Sequence, residues 1–386
     1  MKIKSLFIST LTVVSLFVSS CSTAEDDTKD IISDKNCTQI VNIPDANFKA
    51  KLLSATASLN NVVASNLEGF VCKIDANDDG IIQVCEAENI SKLTIDYSNI
   101  SSLEGLLSFR NLKFLSCRYN KIKTLDLTSF KQLHTLYLTE NLLTNLNVQG
   151  LSKLKELWCD QNQLTTLDLS TSTVLENLRF QNNKISTLNI SNSKNIIELD
   201  GGRNLLTNLS VSHLKNLQQL YISDNLLTSL DVKDLTNLNS LQCANNKITS
   251  LNAANCVKLL DITCSQNELT TLNLNNCSSL NYLRCYNNKL TSINLNGLAG
   301  LTNLDVSNNL LTSLDIRYCP ILSYLSMDNM SQLENLILKN GSNLINYFFG
   351  NNPKLSTICC DASELNEVRN KVAIYGYNCV VTTSCF

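Results

Sequence analysis

The sequence predicts an α/β-type repeat solenoid, mostly β, with 21-residue units and short parallel strands on a concave face. A small helical N-terminal cap and an α/β C-terminal cap close its ends. Three observations carry this. Leucine or isoleucine recurs every 21 residues at 112, 133, 154, 175, 196, 217, 238, 259, 280 and 301. Three residues on (offset +3) stands another, from Leu115 and Leu136 to Leu283 and Leu304. Eight residues on, asparagine occurs in ten units without a gap, from Asn120 and Asn141 to Asn288 and Asn309. Self-similarity at a fixed period marks a chain in which each unit is stable only when stacked on its neighbours.

In chain order, the first element is "MKIKSLFISTLTVVSLFVSSCSTAEDD". Lys2 and Lys4 precede an apolar run, Leu6 to Val18, too short for a spanning helix. With Val18-Ser19-Ser20-Cys21 it resembles a bacterial lipoprotein signal, which implies cleavage after residue 20 and lipidation of Cys21. Residues 21–40 then read as a solvated acidic tether carrying Glu25, Asp26, Asp27 and Asp30. An acidic cluster just after the lipidated cysteine is similar to the surface-export signal of Bacteroidetes lipoproteins. The resemblance implies a surface-exposed outer-membrane protein held to the membrane by its lipid alone.

Residues 41–89 form the expected N-terminal cap. Asp45 is placed to cap a helix carrying Phe48, Leu52 and Leu53. Residues 75–86, "DANDDGIIQVCE", match the calcium-loop pattern D-x-[DN]-x-[DN]-G-x5-E. Calcium needs six to eight oxygens. Asp75, Asn77 and Asp79 would offer side-chain oxygens, Ile81 its carbonyl, Gln83 a water-mediated contact and Glu86 two carboxylate oxygens, with Gly80 at the sharp turn. A single loop at the mouth of the solenoid reads as one structural calcium site rather than a sensor.

Residues 90–355 are the solenoid, opening with a looser, 22-residue copy at Ile90. The unit resembles the leucine-rich repeat, L-x-x-L-x-L-x-x-N/C-x-L. Inward residues at 0, +3 and +5 alternate along a short strand, and strands stacked ~4.8 Å apart give ten coils a length of ~50 Å. The asparagine sits where the chain leaves the strand, and its amide can satisfy bare backbone groups of the turn and of the next coil. Cys117, Cys159, Cys243, Cys264 and Cys285 occupy +5, and Cys256, Cys277 and Cys319 occupy +18. These read as small buried hydrophobes rather than disulfides or a metal site. After Leu322 the register breaks: Met330 replaces the asparagine, a shortened segment leads to Leu333, and register partly returns at Leu344.

Residues 356–386 complete the chain as a C-terminal cap. "IPDANFK", the calcium-type loop, the 21-residue units and the tail "LSTICCDASELNEVRNKVAIYGYNCVVTTSCF" together resemble a family of exported Bacteroidetes leucine-rich repeat proteins, internalin-like in type. The resemblance implies a final strand, a helix and another strand. Cys359 or Cys360 with Cys379 or Cys385 is the leading disulfide candidate within that cap, and Cys37–Cys72, at the other end of the chain, is a second.

Offsets +2, +4 and +6 alternate with the inward leucines and face outward. They collect Phe114, Tyr137, Trp158, Arg179, Asp200 and Tyr221 toward one end, with Tyr119 grouped among them, and Tyr282, Arg284, Tyr286 and Tyr324 toward the other. Tryptophan, tyrosine and arginine are the residues enriched at binding hot spots. The net charge is −3 with no basic cluster, which argues against nucleic acid. The two histidines have no nucleophile in register, and no phosphate loop or hydrolase motif occurs. Asp168, Asp231 and Asp315 fall at the +14 turn position shared with Asn147 and Asn189. The sequence therefore reads as a non-enzymatic surface module that captures a protein partner, with a glycan ligand or a passive structural role as alternatives.

Overall fold

Most coils contribute two short strands, not one, to the solenoid; among the described residues, those opening at Ile90, Ile196 and Leu280 contribute only the first. The structure is a computed structural model that describes residues 37–60, 62–342, 344 and 346–385. The signal segment, Cys21 and most of the tether lie outside the described residues. Gln39–Phe386 forms one unit.

The first strand of each coil takes offsets +2 to +4, as in Thr135–Tyr137, Glu156–Trp158 and Asn177–Arg179. Each pairs in parallel with the same offsets one coil on, so Leu136 opposes Leu157, which opposes Leu178. Equal coil length thus converts a sequence period into straight rows. The resulting sheet has fourteen strands, all parallel except Ala64–Asn66. That strand runs antiparallel to Ile90–Thr94 and carries a bulge at Ser65/Asn66, so the cap covers the sheet's first edge.

The second strand occupies +12 to +14, where the sequence suggested a turn. Thr124–Asp126, Thr166–Asp168 and Ser250–Asn252 belong to separate small parallel sheets of two to four strands. The Asp or Asn at +14 ends this strand, and its side-chain oxygen accepts the backbone N–H two residues on. Asp126 receives Thr128 at 2.9 Å, Asp168 receives Ser170 at 3.0 Å and Asp231 receives Lys233 at 3.0 Å. These carboxylates are strand-ending Asx turns.

The asparagine column lies inside. Asn162 Nδ2 donates to Leu138 O at 3.0 Å and Cys159 O at 3.1 Å, while its Oδ1 accepts Leu143 N–H at 3.0 Å. Asn225 repeats this with Gly201, Ile222 and Leu206. The amide therefore stitches its own turn to the preceding coil rather than to the next one. The apparent break after Leu322 is one extra residue. The second strand moves to Asn335–Ile337 and Leu344 opens the following coil, so no shortened segment exists. Asn352 resumes the column there, reaching Met327 O and Phe349 O and accepting Met330 N–H, whereas Asn340 stands in the +18 row and donates to Cys319 O.

The +5 and +18 cysteines are all buried and free. Burial pushes the Cys243 and Cys319 thiols up to about 12, and Cys256 and Cys277 each donate to a carbonyl of the preceding coil at 3.1 Å. They pack as hydrophobes with a weak donor.

At the N-terminal end, helix α1 (Ala46–Leu53) buries Phe48 and Leu52, and Asp45 caps it by accepting Phe48 N–H at 2.9 Å. The other Asp45 oxygen accepts Ser101 and Ser102 N–H, bolting the helix to the first coil. Burial alone would raise the Asp45 pKa, but these amides outweigh it and hold it at about 2. At the other end, Thr357–Cys359, helix Leu365–Tyr375 and Val380–Thr382 follow one another, and a disulfide joins Cys359 to Cys385 with Cα atoms 5.5 Å apart. The pairing Cys37–Cys72 does not form. Cys72 is a half-buried free thiol, whereas Cys37 and Cys85 are each disulfide-bonded. No helix among the described residues is long and apolar enough to cross a membrane.

Candidate functional site

On the outer face of the fourteen-stranded sheet, rows of equal offset bring the first aromatic group into direct contact. Tyr137 and Trp158 are +4 residues of adjacent coils and stack with ring centroids 4.3 Å apart. Arg179, the next +4 residue, lies over the Trp158 ring at 4.6 Å. Phe114, at +2, meets Tyr137 edge-on at 5.4 Å. Each ring also has a cation: Lys92 over Phe114 at 4.8 Å and Arg118 over Tyr137 at 5.6 Å complete the set.

Carboxylates fix this run from its flanks. Arg179 is held by Glu198 at 2.9 Å, Arg118 by Asp96 at 2.7 Å, and the Tyr137 hydroxyl donates to Glu156 at 2.8 Å. Burial and the bond to Glu156 push the Tyr137 hydroxyl pKa well up. The indole Nε1 of Trp158 is buried without a hydrogen-bond partner. A half-exposed surface of stacked rings and stacked guanidinium groups results, already rigid before any ligand arrives.

Tyr119 does not belong to that run. Its offset is +7, past the strand end, where the backbone is left-handed (φ 56°), and its ring stacks on Tyr97 at 4.1 Å. Offset +7 is left-handed in every strict coil, from Tyr119 through Arg203 to Asn308.

The second group is looser. Tyr282 and Tyr324 share the +2 row but Asn303 stands between them. Tyr282 is 42% exposed and Arg284 lies at 6.0 Å from its ring, while Tyr324 packs on Phe348 at 6.0 Å. Tyr286 is half-buried, and no ring contact joins it to either tyrosine. Asp200 and Tyr221 sit between the groups, lining a shallow notch. Lys92, Arg118 and Phe348 complete the two groups, and Tyr97 pairs with Tyr119 apart from them. Extending the +2 and +4 rows into the coils at Ile90 and Leu344 finds Lys92 and Phe348.

In the calcium-type loop, Asp79 N–H bonds both Asp75 and Asn77 side chains at 3.1 Å, and Asp75 also accepts Gly80 N–H at 2.9 Å. Gln83 Nε2 donates to Asp79 at 2.7 Å while its Oε1 is buried without a partner. The oxygens of Asp75, Asn77 and Asp79 suit a hard cation. Glu86 is engaged elsewhere. It sits in the first turn of Val84–Glu88, its carboxylate accepting Ala76 and Gln83 N–H at 2.8 and 2.9 Å. Burial and the nearby Asp75 push its pKa up. Ile81 donates its N–H to Asp79 at 2.8 Å. Among the described residues, no three His, Cys, Asp or Glu side chains form a group that could hold a metal.

Coil length, inward leucine rows and the asparagine column define a leucine-rich repeat solenoid. Comparison with solved structures agrees. The functional domain of InlJ from Listeria monocytogenes, which includes a cysteine ladder, is 30% identical, with a TM-score of 0.61 over 82% of this chain and 62% of that one. A leucine-rich repeat protein of Leptospira interrogans (23% identity, TM-score 0.56) matches over 76% of this chain and 84% of its own. One from Bacteroides thetaiotaomicron (17%, TM-score 0.56) matches over 78% and 43%. No protein-family model matches the sequence, and no curated protein matches it.

Proposed function

We propose that the chain is a lipid-anchored, cell-surface binding module that captures a protein partner on the outer face of its fourteen-stranded sheet. The observation that carries this is the contiguous run Phe114–Tyr137–Trp158–Arg179, locked by its own carboxylates across adjacent strands. Rigid aromatic and arginine anchors lose little entropy on binding, which is why they dominate hot spots. A photocrosslinker at position 158 on intact cells tests the reading. A discrete protein adduct that disappears with the Tyr137→Ala background supports it, and a surface without any adduct refutes it.

A glycan is the second reading, favoured by the open ring of Tyr282 beside Arg284. A glycan array that lights up with wild type and not with Tyr282→Ala would decide for it. The loop residues Asp75, Asn77 and Asp79 are proposed to take one calcium ion that tightens the N-terminal cap. Calcium at saturating concentration should then raise the melting temperature, and Asp79→Ala should abolish that rise.

A further inference from the structure

We infer that the notch beside Asp200 takes one cationic side chain, an arginine or lysine, of the protein partner. This deepens the binding reading above and rests on it.

The notch exists because Gly202 leaves an outward position bare, while its neighbour Gly201 faces inward. Gly201, at +5, makes way for Phe180 of the preceding coil: a Cβ there would lie 2.1 Å from the Phe180 ring. Gly202, at +6, stands where preceding coils carry Arg118, Thr139, Asp160 and Gln181. The face is therefore bare just beside Asp200, and a depression opens toward Tyr221 and Gln242.

Its chemistry is that of an acceptor. Asp200 is half-buried and receives one long bond, from Gly202 N–H at 3.5 Å. The cations near it have other partners: Arg179 is held by Glu198 at 2.9 Å and stacked on Trp158, and Arg203 faces Asp224 at 3.7 Å. Glu198 and Asp160 add negative charge against the single positive charge of Arg179. Burial is the main cause that raises the Asp200 pKa, so the carboxylate lacks the solvation that a cation would restore. Gln181, Gln242 and Tyr221 also line the notch, residue types whose amide oxygens and ring suit a guanidinium or ammonium group. An incoming carboxylate would meet Asp200 and Asp224 beside an Arg203 already facing Asp224, and a neutral sugar would leave Asp200 uncompensated.

The test titrates the purified full chain with acetyl-Gly-Arg-Gly-amide, following the Asp200 carboxyl by carbon NMR. The acetyl-Gly-Glu-Gly-amide peptide and glucose serve as parallel probes. The arginine peptide should lower the Asp200 pKa, and the isosteric Asp200→Asn should bind it about tenfold more weakly. The other two probes should do nothing. An unmoved Asp200 signal, equal binding by Asp200→Asn, or an equal response to glucose overturns the inference. If position 158 still crosslinks while arginine is ignored, this inference fails alone. If arginine binds and position 158 yields no adduct, the partner reading beneath it fails.

Discussion

The same face carries aromatic residues at both ends, yet the two ends behave differently. Around Trp158 the rings belong to neighbouring coils, so each packs on the next at 4.3 to 5.4 Å and none stands alone. Around Tyr282 the +2 tyrosines are two coils apart, with Asn303 between them, and the ring of Tyr282 stays open. Composition at the two ends is alike. What separates them is whether aromatic residues occupy consecutive coils at compatible offsets, because strands ~4.8 Å apart place consecutive rings at stacking distance and alternate ones beyond it.

Both ends rest on one interior amide column, and breaking it should cost most. Asn225→Ala leaves the Leu206 N–H buried and unpaired, while the carbonyls of Gly201 and Ile222 each lose one of two amide donors and keep Asn204 and Asn246. A loss of about 3 kcal/mol in urea unfolding is expected. Trp158→Ala removes a stack and a cation–π contact together, and about 2 kcal/mol should go. Asp45 anchors the near end of the solenoid, and its pKa is depressed in the folded chain. Its contribution is therefore complete above the ordinary carboxylate range and is lost as pH falls from about 4 toward 2. Asp45→Ala should flatten that part of the pH–stability curve and cost about 1 kcal/mol at neutral pH. Tyr282→Ala should change stability by less than about 0.5 kcal/mol, since the residue is exposed and its ring packs on no neighbouring ring. A cost for Tyr282→Ala equal to that for Trp158→Ala would erase the distinction between the two ends.

Much of this architecture was legible because the inward residues are nearly invariant from coil to coil. The rows, the asparagine column, the buried cysteines and the helix cap at Asp45 all follow from spacing and residue chemistry. The second strand was not legible. Thr124–Asp126 has one inward residue flanked by two exposed ones, too short for alternation to show, and its Asp mimics a turn signal. Tyr119 was misplaced because the alternation stops at the strand end, where the backbone turns left-handed. Glu86 fits a ligand position by spacing, but spacing does not reveal that its carboxylate faces backbone amides of its own loop and helix. Arg118 and Tyr97 have no signature as partners until the coils are stacked, since each acts on a ring about one coil away in sequence.

The central claim is that matching positions in successive coils interlock into a preformed surface. A double-mutant cycle on Trp158 and Arg179, measured by urea unfolding, tests it most directly. Contact at 4.6 Å with a guanidinium restrained by Glu198 should give a coupling of about 1 kcal/mol. Additive single effects, with no coupling, would mean that the two side chains merely share a face.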